Sequence, residues 1–203
     1  WAGGLPGTVG GAVRGNAGAF GGEIKDTIAA VTSMRLGRIP TIVTRTAADC
    51  GFGYRTSIFK ERNGEEIILS AVFRLPKGNK KTIRDAINEK IRYRRERHPM
   101  EYPNIGSIFK NVSMEKISPE LRERFAAKIK NDPFPVLPTA VILDAAKLKG
   151  ISAGGAMISP KHPNFIVNTL SATAEDVKSL IRLAKSTVRE KFGIALEEEV
   201  IYV

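Results

Sequence analysis

The stretch Trp1-Ala-Gly-Gly-Leu-Pro-Gly-Thr-Val-Gly-Gly-Ala-Val-Arg-Gly-Asn-Ala-Gly-Ala-Phe-Gly-Gly-Glu-Ile24 holds nine of the chain's 19 glycines within its first 22 positions. Glycine permits positive φ and lets a ligand approach the main chain closely. Free backbone N–H groups in such loops form anion-binding nests. The segment is therefore consistent with a cradle for a diphosphate or with tight turns in a core of small residues. It matches neither the G-x-x-x-x-G-K-[ST] pattern nor a Gly-x-Gly-x-x-Gly turn between strand and helix.

Length and composition are those of a globular protein. The 203 residues, 42% hydrophobic and 26% charged, can bury a sizeable core in one large or two small domains. We find no apolar run of transmembrane length and no signal-peptide pattern. Cys50 is the single cysteine, which excludes an intrachain disulfide and favours a cytoplasmic location. The net charge of +11 favours anionic partners, whether nucleic acid, acidic lipid or phosphate-bearing small molecules.

The hydrophobic pattern predicts an α+β fold. Residues 39–46 and 65–75 are β-branched and apolar, as in strands. Residues 80–97 have isoleucines at helical spacing, and the two prolines that follow, Pro99 and Pro103, place a domain boundary near residues 98–104.

In the second half of the chain, helix-capping residues define the predicted helices. We expect a helix over 118–130 with Ser118 as N-cap, and another over 139–149 that ends at Gly150. A third begins after Thr173 and ends before Gly193. Strands are predicted over 165–169 and 200–203.

Several motifs, read in order, resemble the UDP-N-acetylenolpyruvoylglucosamine reductase family, flavoenzymes of peptidoglycan precursor synthesis. The Gly-rich opening resembles the family's flavin-contacting segment, and Gly53-Tyr-Arg-Thr-Ser-Ile-Phe-Lys60 resembles its Tyr-Arg-x-Ser motif. Gly106-Ser-Ile-Phe-Lys-Asn111 resembles its Gly-Ser-x-Phe-Lys-Asn motif, and Leu196-Glu-Glu-Glu-Val200 its closing Leu-Glu-x-Glu-Val. Ser159-Pro-Lys-His162 and Phe165-Ile-Val-Asn168 follow in the family's order.

The resemblance implies a particular domain organisation. The family has three structural parts, and this chain resembles the second and third, so we expect a fragment or one half of a split protein. Residues 1–98, completed by the C-terminal strand 193–203, would form part of an FAD-binding domain of the PCMH-like type. Residues 99–192 would form a smaller α+β substrate-binding domain. The chain resembles the form of the family that lacks an inserted loop with an extra tyrosine. The link 112–138 is longer and more polar than usual, and Glu198 replaces the family's common proline.

The resemblance also implies a reaction. NADPH reduces FAD, and the reduced flavin N5 delivers hydride to the vinyl carbon of UDP-N-acetylglucosamine enolpyruvate. Protonation of the neighbouring carbon gives UDP-N-acetylmuramate. The partners implied are this substrate and NADPH in the cytoplasm, with neither a membrane nor a nucleic acid.

Three catalytic residues carry over from the family. Ser107 is the proton donor, and Gly106 beside it would give the ligand access. Arg55 offers forked donors to the substrate carboxylate as it gains enolate character. Glu199 helps to polarise or protonate that group, which requires a raised pKa. Without the resemblance, the sequence favours a helix-capping serine at Ser107 and solvated surface residues at Arg55 and Glu199.

The binding residues also follow from the resemblance. Those expected to contact FAD lie in the opening segment: Gly4, Pro6, Gly7, Thr8, Gly10, Gly11, Asn16, Gly18 and Ala19. Those expected to contact the nucleotide-sugar are Tyr54, Lys110, Asn111 and His162. His162 has a second interpretation as a neutral structural histidine. No metal site is predicted.

Helix 80–97 is strongly basic on its polar faces. A basic stripe is typical of nucleic-acid binding, but Tyr93 is the single aromatic residue available for stacking. A solvated face and electrostatic steering of NADPH and substrate remain as alternatives. For the whole chain, the alternatives to the reductase are another flavin oxidoreductase on the same scaffold and a basic nucleic-acid-binding module.

Overall fold

The computed structural model describes residues 1–131 and 134–202, and the chain divides into two compact units, Trp1–Arg92 and Tyr93–Val203. The division falls within a long helix, Lys80–Arg97, rather than in the prolines after it. Both units combine helices with antiparallel strands, which confirms the predicted α+β class.

The first unit is organised on a three-stranded antiparallel sheet. Its helices are α1 (Val9–Arg14), α2 (Ile58–Glu61) and the start of α3 (Lys80–Arg97). Its strands are β1 (Gly18–Ala19), β2 (Gly22–Glu23), β3 (Ile28–Arg35), β4 (Thr41–Thr46) and β5 (Glu66–Phe73). β1 pairs with β2, and the larger sheet has the order β4-β3-β5. Val13, Val31 and Phe59 meet in its core, so α1, the central strand and α2 share one apolar cluster.

A buried carboxylate lies within this sheet. Glu66 on β5 accepts paired hydrogen bonds from Arg45 on β4 at 2.7 and 2.8 Å and one from Ser33 on β3 at 2.8 Å. Arg35 and Arg62 add contacts at 3.2 Å each. Burial alone would raise the pKa of Glu66, but the donated hydrogen bonds outweigh it and lower the pKa to about 2. The three strands are thus joined by a fully ionised side chain.

The second unit has a four-stranded antiparallel sheet of order β6-β11-β10-β9. Its strands are β6 (Asn104–Ser107), β7 (Val112–Ser113), β8 (Val136–Leu137), β9 (Ser152–Ala153), β10 (Ala156–Ile158) and β11 (Phe165–Asn168). Its helices beyond α3 are α4 (Pro119–Arg124), α5 (Thr139–Ala145) and α6 (Ala174–Phe192). α6 contacts β9, β10 and α5, and its buried Leu180, Ile181, Ala184 and Val188 join the main core.

The best-defined helix ends are those of α6, and both were predicted. The Thr173 hydroxyl accepts the Asp176 N–H at 3.2 Å, and the Asp176 carboxylate accepts the Thr173 N–H at 2.9 Å. Gly193 ends the helix at φ 65°. Local sequence therefore determines this element before any packing.

Two other helices are shorter than expected. The one begun by Ser118 ends at Arg124, and the one begun at Thr139 ends at Ala145 rather than at Gly150. The second ends in a Schellman motif: Lys147 has φ 62°, its N–H donates to Asp144 O, and Leu148 N–H donates to Leu143 O. Leu148 is buried, so the apolar contact of this motif ends the helix without a glycine.

The C-terminal segment also differs from the expectation. Residues 200–202 form no strand, and residue 203 lies outside the described residues. Ile194 and Leu196 are buried in the core of the second unit, and Lys110 N–H donates to Glu197 O at 2.9 Å. The segment therefore belongs to the second unit, although we expected it to complete the first, because its apolar residues and its backbone find their partners there.

Candidate functional site

The Gly-rich opening forms an exposed loop followed by a short helix. The Thr8 hydroxyl caps α1 by accepting the Gly11 N–H at 3.1 Å. Gly7 has φ 131°, and a Cβ at Gly7 or Gly10 would meet no atom within 4 Å. Gly7 and Thr8 also line a hollow of about 310 Å³ whose other walls are mostly apolar, among them Leu5 and Val9. Bare backbone beside an apolar hollow is suited to a ligand with a phosphate and a flat ring.

Asn16 has a different place from the other predicted cofactor residues. It is fully buried with φ 43°. Its Nδ2 donates to Glu23 Oε2 at 3.1 Å and to Gly53 O at 2.9 Å, and its Oδ1 accepts the Lys25 N–H at 3.0 Å. The side chain is thus engaged within the protein and shapes the loop.

Tyr54 and Arg55 lie at the tip of a two-residue turn. Gly53 and Thr56 close it by exchanging backbone hydrogen bonds of 3.1 and 3.3 Å. Arg55 has φ 57°, its guanidinium lies 5.1 Å from the Tyr54 ring centre, and its Nη2 donates to Gly18 O at 2.8 Å. The turn is therefore tied to the Gly-rich opening through both Arg55 and the Asn16–Gly53 bond.

In the second unit, Ser107 is the last residue of β6. It pairs with Phe165 on β11, but the register shifts before Val167 pairs with Asn104. Gly106 has φ 86° with open space where a Cβ would be, and its N–H donates to Asn104 Oδ1 at 3.0 Å. The strand is thus bulged immediately before Ser107, and the space at the Cβ position of Gly106 is open.

Lys110 and Asn111 continue from Ser107 and are held by α5. Thr139, fully buried, donates its hydroxyl to Lys110 O at 2.5 Å, and its N–H donates to Asn111 Oδ1 at 3.2 Å. Asn111 therefore accepts the first backbone N–H of α5. The Lys110 ammonium lies 3.4 Å from Glu197 Oε2. The other carboxylate oxygen of Glu197 forms a salt bridge with Lys116.

Glu199 lies beside the same segment. Its N–H donates to Ile108 O at 2.8 Å, and Glu198 forms a bridge with Phe109. The structure thus brings together four predicted site residues of the second unit: Ser107, Lys110, Asn111 and Glu199.

His162 lies in an aromatic cluster. Its ring centre is 4.8 Å from that of Phe165 and 5.3 Å from that of His98, and its Nδ1 is buried without a hydrogen-bond partner among the described residues. Burial, with a smaller effect of His98, lowers the pKa of His162 to about 4. The ring is therefore neutral at pH 7, which favours the structural interpretation over an ionic contact with the diphosphate.

A larger hollow of about 740 Å³ between α6 and the C-terminal segment contains none of the predicted site residues. In residues 1–131 and 134–202, no group of three His, Cys, Asp or Glu is placed to hold a metal. No helix in that part of the chain is long and apolar enough to span a bilayer.

Comparisons with known proteins identify the family. The family model for the C-terminal domain of UDP-N-acetylenolpyruvoylglucosamine reductase matches residues 98–203. The reductase of Fervidobacterium nodosum is 41% identical over 97% of this chain and 56% of its own length. That of Lactobacillus delbrueckii subsp. bulgaricus is 39% identical over 98% and 59%, respectively. The chain thus spans little more than half the length of these relatives.

A solved structure agrees as well. The crystal structure of the reductase (MurB) from Thermus caldophilus superposes with a TM-score of 0.72 at 30% identity, over 98% of this chain and 61% of the other. The chain therefore belongs to the UDP-N-acetylenolpyruvoylglucosamine reductase family.

Proposed function

We propose that this chain supplies the substrate site and part of the flavin site of an FAD-dependent reductase. Its reaction is the NADPH-driven reduction of UDP-N-acetylglucosamine enolpyruvate to UDP-N-acetylmuramate in the cytoplasm. The observation that carries the proposal is the convergence of Ser107, Asn111 and Glu199 on one hydrogen-bonded pair of segments. These are residues that motif resemblance had selected from distant parts of the sequence.

The Gly-rich opening fits FAD. The backbone at Gly7 and Gly10, where a Cβ would meet no atom within 4 Å, offers N–H groups to a diphosphate, and the apolar hollow beside Gly7 suits a ring. When bound, the flavin supplies the hydride taken from NADPH.

Ser107 supplies the proton. A serine hydroxyl is a weak acid, so it acts in this role only when it is oriented and shielded from water. By the family resemblance, Gly106 beside it would give the ligand access, and its φ of 86° with open space at the Cβ position is consistent with that role.

Arg55 and Glu199 act on the substrate carboxylate. The guanidinium of Arg55 is a planar fork that matches a carboxylate. Its bond to Gly18 O and its stacking on Tyr54 hold that fork in one orientation before substrate arrives. Glu199, placed by its backbone bond to Ile108, would share a proton with the developing enolate.

Turnover tests the proposal. The chain is joined to the N-terminal part of the F. nodosum reductase, loaded with FAD and mixed with NADPH. We expect UDP-N-acetylmuramate to form when the enolpyruvyl substrate is added. Flavin that is reduced by NADPH but is not reoxidised by this substrate would indicate another flavin oxidoreductase.

A further inference from the structure

Residues Ser107–Asn111 carry three of the predicted site residues, yet regular strand pairing ends where this segment begins. β6 stops at Ser107, and the register of its pairing with β11 has already shifted. The side chain of a serine at the end of a bulged strand has no fixed orientation unless hydrogen bonds hold the backbone that follows it. Two side chains hold this backbone in the structure: Thr139 binds Lys110 O at its far end, and Asn164 binds Phe109, the second residue after Ser107.

Asn164 is 3% exposed and lies immediately before β11. Its backbone oxygen accepts the Ile108 N–H at 2.8 Å. Its side chain then exchanges two hydrogen bonds with one residue: Phe109 N–H donates to Oδ1 at 3.0 Å, and Nδ2 donates to Phe109 O at 2.8 Å. The amide thus substitutes for the backbone of a neighbouring strand. Asparagine is suited to this because its short side chain carries both a donor and an acceptor.

The opposite edge of the segment is bound to the C-terminal residues. Lys110 N–H donates to Glu197 O at 2.9 Å, and Glu199 N–H donates to Ile108 O at 2.8 Å. Residues 108–110 are therefore held between Asn164 on one side and 197–199 on the other. A shift of Phe109 would change the positions of Ser107 and Glu199 together.

We propose that Asn164 is a positioning residue for the reductase reaction: its side-chain amide sets the register of residues 107–111, and so places the Ser107 hydroxyl and Glu199 for proton delivery. This inference rests on the proposed function. Misplacement of a reacting group by about 1 Å can cost roughly 10²-fold in rate, so a residue without substrate contact can still control turnover.

The test uses Asn164→Ala, which removes both side-chain bonds, and Asn164→Asp, which keeps the shape and the acceptor but cannot donate to Phe109 O when ionised. Val188→Ala is the matched control: it opens a cavity at a fully buried residue of α6 that takes no part in the hydrogen bonds around Ser107. Because this variant loses stability without losing those hydrogen bonds, it separates the effect of lower stability on turnover from the effect of misplacing residues 107–111.

Two readouts are compared. Amide hydrogen exchange in the 203-residue chain, measured by NMR at Phe109, Lys110 and Glu199, reports the register without any activity. Reoxidation of flavin by the enolpyruvyl substrate, measured in the protein joined to the N-terminal part, reports proton delivery. We expect faster exchange at these amides in both Asn164 variants but not in Val188→Ala, and a reoxidation rate roughly 10²-fold below that of the control.

Two results would overturn the proposal: exchange at these amides equal to that of the parent, or reoxidation no slower than in Val188→Ala. A parent protein that never reoxidises its flavin with this substrate would instead remove the proposed function and the catalytic half of this inference. The exchange data would still decide whether Asn164 sets the register.

Discussion

At the scale of single residues, the backbone of Arg55, a predicted site residue, orients its own side chain. Its φ of 57° is a conformation that non-glycine residues rarely adopt, and it directs the guanidinium to Gly18 O. Strain of this kind persists where surrounding contacts hold it in place. Here the Gly53–Thr56 turn does so.

Arg55→Lys should keep the charge and lose the fork. We expect turnover to fall about 10²-fold or more, the effect of removing one preorganised donor, while flavin reduction by NADPH changes far less. Glu199→Gln should slow the same half-reaction. Stopped-flow absorbance separates the two steps, and Arg38→Lys, at an exposed position, is the control. Equal losses in both half-reactions would contradict these roles.

Glu66 leads to a prediction about pH and stability. Its folded pKa of about 2 lies below the ordinary 4.5, so its stabilisation is complete above pH 4.5 and is lost as pH falls towards 2. A shift of this size corresponds to about 3 kcal/mol.

Glu66→Gln should therefore lower the free energy of unfolding at pH 7, and the difference from the parent should shrink in acid. Chemical denaturation between pH 2 and 7 measures this. Glu65→Gln, at the exposed neighbouring position, should have little effect. A parent–variant difference that did not change with pH would show that the ion pairs contribute nothing.

At the scale of elements, two glycines of the opening segment should behave oppositely. A Cβ on Gly18 would lie 2.7 Å from Glu23 Cγ, 3.1 Å from Gly22 O and 3.2 Å from Arg55 Nη1, whereas one on Gly10 would meet nothing within 4 Å. Gly18→Ala should lower the melting temperature and displace Arg55. Gly10→Ala, within α1, should leave the fold as stable or up to about 1 kcal/mol more stable.

Flavin binding then shows whether Gly10 leaves space for FAD or serves only the local backbone turn. In the protein joined to the N-terminal part, Gly10→Ala should weaken FAD binding despite an intact fold, because the added methyl group occupies the space a ligand would use. FAD titration followed by fluorescence measures this. Unchanged affinity would assign Gly10 to the turn alone.

Elements were predictable where local chemistry determines them. Thr173, Asp176 and Gly193 define α6 from the sequence alone. The end of α5 was not predictable, because burial of Leu148, a tertiary contact, replaces the expected glycine. Strand β3, Ile28–Arg35, was missed because its sequence lacks a regular apolar–polar alternation, and its strand character depends on pairing with β4 and β5 on both sides.

The candidate site was predictable from motifs but not from pattern alone. Ser107 and Glu199 are 92 positions apart, and no periodicity connects them. The roles of Asn16 and Asn164 depend on which backbone groups lie within reach of their amides, which only the folded chain reveals. From the sequence, the available indication of such a role for Asn16 or Asn164 is that each is a short amide side chain within or next to a family motif.

At the scale of the whole molecule, the chain spans 56% of the F. nodosum reductase, and in the proposed function the opening loop would offer FAD mainly backbone donors. We therefore expect the 203-residue chain alone to bind FAD weakly or not at all, and the N-terminal part of a relative to restore binding. Absorbance at the flavin band after gel filtration measures this. Stoichiometric FAD in the isolated chain would contradict the expectation.

The most direct test of the account is the reoxidation of NADPH-reduced flavin by UDP-N-acetylglucosamine enolpyruvate in the joined protein, with Ser107→Ala compared with the parent. Removing one hydroxyl beside Gly106 should leave folding, substrate affinity and flavin reduction nearly intact. Reoxidation should slow by roughly 10²–10⁴-fold, the usual contribution of a positioned general acid, and Ser107→Cys should recover part of the loss. Reoxidation of the alanine variant at the parent rate would contradict the account and leave Ser107 as a structural residue at the end of β6.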